Sequence, residues 1–113
     1  MSHPSKRRGD RAELELAGIL SGLLGLPVKR MLGAGRQEDV GDLHGLPLVT
    51  AQVKNFPRSG IAAAINDGLD DLDRQQPHAG TPFGVVFVRR PRGRWIAVMD
   101  VDRWATFYRE VVA

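Results

Sequence analysis

Apolar residues recur at helical spacing through Leu14, Ala17, Ile19, Leu20, Leu23 and Leu24. That spacing predicts an amphipathic helix opening near Asp10 and stopping at Gly25, with Pro27 just beyond. Asp10 followed by Glu13 has the form of a capping box. Residues 28–32 read as a short strand, and the glycine-rich stretch 33–36 as a loop. A turn at His44 and Gly45 then separates two strands, 39–43 and 47–54, read as an antiparallel hairpin. Helical spacing returns over 61–76, with Ala62, Ile65, Leu69 and Leu72 as the buried stripe. Residues 77–82 read as a loop. The near-continuous apolar run 83–88 predicts a central strand buried on both faces. A basic turn over 89–94 leads to a return strand at 95–99. Asp102 is placed to cap a last helix over 103–112, with Trp104, Phe107, Tyr108 and Val111 facing inward. The order α-β-β-β-α-β-β-α predicts an α/β domain, a mixed sheet flanked by helices.

The strand over 47–54 carries the candidate chemistry. Successive side chains alternate faces. Leu48, Thr50, Gln52 and Lys54 therefore share one face, and Val49, Ala51 and Val53 share the other, which is expected to be core. Gln52 and Lys54 set an amide and an ammonium two residues apart, with a carboxylate across the hairpin. Such groups can hold a hard divalent cation and act on a water. An even hairpin loop puts Asp39 on the Gln52 face; an odd loop or a bulge puts Asp42 there. The plainer reading is a polar sheet face with Lys54 extending to solvent. Glu13 and Glu15 lie in the first turns of the first helix, where acids also complement the helix dipole.

Composition narrows the classes. A chain of 113 residues makes one domain with room for a core, and without cysteine there is no disulfide or thiolate metal site. No apolar run approaches the ~18 residues of a membrane helix. A soluble, cytoplasmic protein without a membrane partner is expected. Residues 1–8 read as a disordered basic lead-in, and 9–113 as the domain. The net charge of +3 leans toward an acidic partner. Lys29, Arg30 and Arg36 flank the glycine-rich loop, and Arg89, Arg90, Arg92 and Arg94 form the densest positive cluster. All seven are candidates for phosphate contacts on DNA. The acids at Asp67, Asp70, Asp71 and Asp73 read as a solvated helix face, since their order is not that of a calcium loop.

Taken together, the motifs resemble the PD-(D/E)XK nuclease superfamily, nearest to the Holliday-junction resolvase-like branch of archaea and phages. Gly9 to Glu13 is similar to that family's Gly-x-x-x-Glu opening. Gly41-Asp42-Leu43-His44-Gly45 is similar to its Asp-Leu-x-Gly step, which favours Asp42 over Asp39. Gln52-Val53-Lys54 stands where (Asp/Glu)-x-Lys is usual, and Mrr-type restriction nucleases share this Gln-x-Lys form. The resemblance implies a restriction-endonuclease-like fold and a structure-selective DNA endonuclease. Its magnesium or manganese would be held by Asp42 or Asp39, Gln52, the Val53 carbonyl and Glu13, with Lys54 acting on the attacking water. It also implies a homodimer, because two strands are cut. Gln52 is a neutral, weaker ligand than a carboxylate, which keeps open a weakly active or inactive DNA-binding or assembly module. Gln52→Glu is nearly the same size and is expected to be tolerated, and the carboxylate it adds is expected to tighten metal binding.

Overall fold

A computed structural model describes residues 4–31, 41–55 and 60–112, without the side chains of 4–9. In chain order the elements are α1 (Pro4–Leu24), β1 (Lys29–Arg30), β2 (Leu43–His44), β3 (Val49–Asn55), α2 (Ile61–Ala79), β4 (Phe83–Arg90), β5 (Arg94–Val98) and α3 (Val101–Val112). A single 3-10 turn at Pro91–Gly93 joins β4 to β5. The domain is α/β. β4 is the centre of a three-stranded sheet, parallel to β3 and antiparallel to β5. β1 and β2 form a separate antiparallel pair, with Lys29 opposite His44 and Arg30 opposite Leu43.

Strand alternation divides the core into two layers. Leu16 and Ala17 of α1 pack with Val28, Leu43, Ala51 and Val85, joined by Val49, Val53 and Phe87. Ala64 and Leu72 of α2 pack with Val86 and Val88 on the other side. Helices thus cover both faces of β3 and β4, as the apolar run at β4 requires. The expected core face of β3 does pack inward: Ala51 is 1% exposed. The opposite face is covered as well, and Thr50 and Gln52 are also 1% exposed. Helix α2 comes this close because Gly68 has no side chain. A Cβ there would stand 2.4 Å from Cγ1 of the fully buried Val86.

Several expectations are corrected. Helix α1 begins at Pro4, so Asp10 lies inside it rather than capping it, and residues 4–8 belong to the helix rather than to a disordered lead-in. Proline is at ease in a first turn, where its missing N–H has no partner to lose. The expected 39–43 and 47–54 hairpin does not form a ladder among the described residues: β2 pairs with β1 instead. Pro47 lacks an N–H, and Leu48 adopts a φ of 69°. A turn closes there, with Val49 N–H bonded to the Leu46 carbonyl at 3.2 Å, and the chain reverses before pairing can spread. Pro77 lies inside α2 rather than in a loop, and Ala62 is exposed while Ala64 and Gly68 are buried.

The last helix departs most. Trp104, Phe107, Tyr108 and Val111, expected to face inward, are 53%, 41%, 50% and 64% exposed. Phe107 meets Phe83 edge-on at 5.9 Å between ring centroids, and Trp104 stacks on Tyr108 at 5.2 Å. Arg103 does the anchoring. It reaches Gln76, Asp73 and Asp100, each at 2.8 Å, and pins α3 to the end of α2. Among the described residues, no helix is long and apolar enough to cross a membrane.

Candidate functional site

Asp42 lies along the outer edge of β3, the edge away from β4. Asp42 N–H donates to the Ala51 carbonyl at 2.8 Å, and Asp42 Oδ2 accepts from Val53 N–H at 2.7 Å. Backbone groups of alternate strand residues point to the same side. Ala51 and Val53 therefore both turn theirs outward, away from β4, and the Val53 carbonyl lies on the Asp42 side. Met31 N–H to the Asp42 carbonyl, 2.8 Å, ties the segment to the end of β1. Gly41 makes the approach possible with a φ of 104°; a Cβ there would sit 3.1 Å from the Ala51 carbonyl oxygen.

Glu13 comes to this edge from α1, one turn before the buried Leu16. Its carboxyl is pushed up to about 7, first by burial, then by the negative charges of Asp42 and Asp10, with Arg30 pulling the other way. Arg30 stands 3.1 Å from Asp10 and 3.9 Å from Glu13. Two carboxyls that repel each other beside an outward carbonyl are a set of hard oxygen donors. Magnesium is commonly held by one or two carboxylates while it keeps several waters, and Glu13, Asp42 and the Val53 carbonyl fit that pattern. Among the described residues no group of three or more carboxylates and histidines forms a cation cage.

Gln52 and Lys54 point to the other face of the sheet, toward α2. Lys54 Nζ is 2.6 Å from Asp71 Oδ2, and Arg74 bonds the other oxygen of the same carboxylate. Gln52 Nε2 donates to Gln75 Oε1 at 2.6 Å, and Gly41 N–H donates to the same oxygen at 3.0 Å. The backbone donor settles both amides: Gln75 must present oxygen to Gly41, so Gln52 must present nitrogen to Gln75. Thr50 meets Thr81, hydroxyl to hydroxyl, at 2.7 Å. The buried polar face of β3 is thus hydrogen-bonded throughout. Helix α1, with Glu13, packs on the opposite face, so the expected single cluster does not form. Gln52 and Lys54 are held by α2, across the sheet from Glu13, and Gln52 does not stand as a ligand beside it. The strand edge carrying Gly41 and Asp42 lies between the two groups: Gly41 bonds toward α2 while Asp42 bonds Val53 and repels Glu13.

Of the other expected residues, Asp39 and Arg36 lie outside the described residues. Lys29 is exposed, and Arg30 is occupied by Asp10 and Glu13. Arg89 Nε donates to Glu15 at 2.7 Å, and Trp95 Nε1 donates to the same oxygen at 2.6 Å. Together these two donors, Arg89 first, hold the Glu15 carboxyl below its usual range. Arg92 and Arg94 are exposed at the turn. Arg90 is half-buried, its Nε without a hydrogen-bond partner among the described residues.

Sequence reasoning missed the contribution of α2. Asp71 and Gln75, expected respectively on a solvated face and nowhere in particular, hold Lys54 and Gln52. The available signal was their i, i+4 spacing beside Gly68 and Leu72, which puts them on the sheet-facing side. No protein-family model matches the chain, and no match is found among curated proteins or solved structures.

Proposed function

We propose that this protein is a metal-dependent DNA endonuclease of the PD-(D/E)XK kind, selective for branched DNA and acting as a two-fold dimer. The observation that carries the reading is that Asp42, bonded to Val53 N–H on the outer edge of β3, lies near enough to Glu13 of α1 for their negative charges to repel. A carboxyl held near pH 7 by burial and a neighbouring acid is a group whose charge a cation would restore.

In this reading Glu13, Asp42 and the Val53 carbonyl would hold magnesium or manganese. Once bound, the ion supplies positive charge for the phosphate and a more acidic water. Asp42 is oriented by Val53 N–H and is therefore pre-set. Lys54 carries the charge expected to face the phosphate, and it exchanges Asp71 for that anion when substrate arrives. Gln75, bonded to both Gly41 and Gln52, keeps the Asp42 segment in register with β3.

A second reading has its own support. Lys54 is neutralised by Asp71 and the Gln52 amide is taken by Gln75, as suits a nuclease-like fold that binds DNA without cutting it. A nicking assay on plasmid and four-way-junction DNA with magnesium and manganese separates the two. The enzyme reading expects cleavage that is lost in both Lys54→Ala and Asp42→Asn, with DNA binding kept. A parent that binds but never cuts establishes the binding module, and one that does neither removes both.

A further inference from the structure

The ends of β3 and β4 open beside α1 into a polar cleft of about 240 Å³, lined by Arg11, Ala12, Glu15, Asn55 and Arg89. Asn55 follows Lys54 at the end of β3 and pairs with Arg89 of β4, so the cleft lies at the strand ends, beyond Lys54 and on the side of α1 that carries Arg11 and Glu15. The geometry points to this cleft as a subsite for a backbone phosphate of the bound nucleic acid, with Glu15 as a competing anion that tempers its affinity. The inference rests on the nucleic-acid reading proposed above.

Three features carry it. First, two guanidinium groups and an amide border a cavity large enough for a phosphate, and guanidinium is the side chain best matched to phosphate oxygens. Second, Arg89 is presented rather than loose. Its Nε is fixed by Glu15 at 2.7 Å, and one Nη2 hydrogen reaches the other carboxylate oxygen at 3.5 Å. Among the described residues this leaves Nη1 and the second Nη2 hydrogen for a ligand. Third, Glu15 is held in place independently by Trp95 Nε1 at 2.6 Å. It therefore stays beside Arg89 as a built-in negative charge at the mouth of a site that would take an anion. Ala12, small and 4% exposed, leaves the floor open. Contacts of this kind position the backbone and carry no sequence information.

The test is DNA binding of the full chain across a salt series, using two labelled duplexes of unrelated sequence. Arg11→Ala is expected to weaken both alike and to lower the slope of log K against log salt by about one. Arg11 is exposed, so the variant should fold. Glu15→Gln keeps an oxygen for Trp95 and removes the competing charge; it is expected to bind both duplexes more tightly, a gain that misfolding could not produce. If the parent binds DNA while Arg11→Ala keeps the parent slope and Glu15→Gln binds no tighter, the subsite is wrong and the nucleic-acid reading survives. If the parent itself does not bind DNA at low salt, both fall.

Discussion

Glu13→Gln separates the electrostatic account of the β3 edge from a merely structural one. The Glu13 carboxyl is raised from 4.5 to about 7 by burial and by Asp42 and Asp10. For an acid raised on folding, the folded state binds the proton more tightly than the unfolded chain does. Its contribution is therefore fully present below about 4.5 and is lost as pH rises through about 7. The shift of about 2.5 (about 7 less 4.5), at ~1.4 kcal/mol for each unit, bounds the loss at about 3 kcal/mol. The side chain keeps 20% of its surface in solvent, so about 2 kcal/mol is the working figure. Glutamine matches the shape and does not titrate. Urea denaturation of parent and variant should give similar stability near pH 4, with the variant ahead by about 2 kcal/mol at pH 8. Millimolar magnesium should then restore the parent at pH 8 and leave the variant unmoved. A stability difference that stays constant from pH 4 to pH 8 refutes the burial and repulsion assigned to Glu13. A parent indifferent to magnesium refutes its role as a ligand.

Gly68→Ala should destabilise by about 1–3 kcal/mol in the same denaturation assay, since its Cβ meets Val86 at 2.4 Å and the helix-propensity gain of about 1 kcal/mol does not offset that; an unchanged midpoint would mean that α2 does not sit so close. Asp71→Asn removes the acid that holds Lys54 and, in the nuclease reading, is expected to raise cleavage at low metal concentration or leave it unchanged; a loss as complete as that of Lys54→Ala would show that Asp71 itself serves the site. Gln52→Glu should cost about 1–3 kcal/mol at pH 7, because a buried carboxylate would then face Gln75 Oε1, whose orientation is fixed by Gly41. Near pH 4 the protonated acid can donate to that oxygen, so the cost should shrink; a variant as stable as the parent at both pH values, with tighter metal binding, would restore Gln52 as a ligand.

The helices and the central strand were readable because their signals are local and redundant. Ala17 and Leu72 fall on stripes that repeat over several turns, and Val85 to Val88 form a run that suits a covered strand. Leu14, Ile19, Leu23 and Leu24 of the first stripe are nonetheless exposed, and the buried Leu16 was not among the positions expected for it. The 39–54 region was readable in part. Alternation correctly separated Gln52 and Lys54 from Ala51 and Val53, since the period of a strand is insensitive to its neighbours. Pairing was misjudged because it depends on a single turn: Leu48, a residue that seldom adopts positive φ, does so after Pro47, and β2 goes to β1 instead of β3. The exposed stripe of α3 was misjudged for another reason. Trp104, Phe107, Tyr108 and Val111 have the spacing of a buried face, and spacing alone cannot say whether anything lies opposite.

The site itself shows how far alternation can take a reading. It tells which residues of β3 share a face, and on that ground Gln52 and Lys54 were grouped with an acid across the hairpin. In the folded chain that acid, Asp42, is on neither face: its carboxylate lies in the plane of the strand, bonded to Val53 N–H at 2.7 Å. An in-plane acid is reached from both sides. Glu13 meets its charge from the α1 layer, while the adjoining Gly41 bonds Gln75 in the α2 layer. Whether Lys54 joins them turns on Asp71, whose carboxylate it meets at 2.6 Å in a half-buried pair. A phosphate carries the same kind of charge as that carboxylate, so exchange costs less than stripping the ammonium bare. In the enzyme reading substrate must draw Lys54 across the strand edge that Asp42 occupies, and in the binding-module reading Lys54 stays with Asp71, which is the point on which the two part.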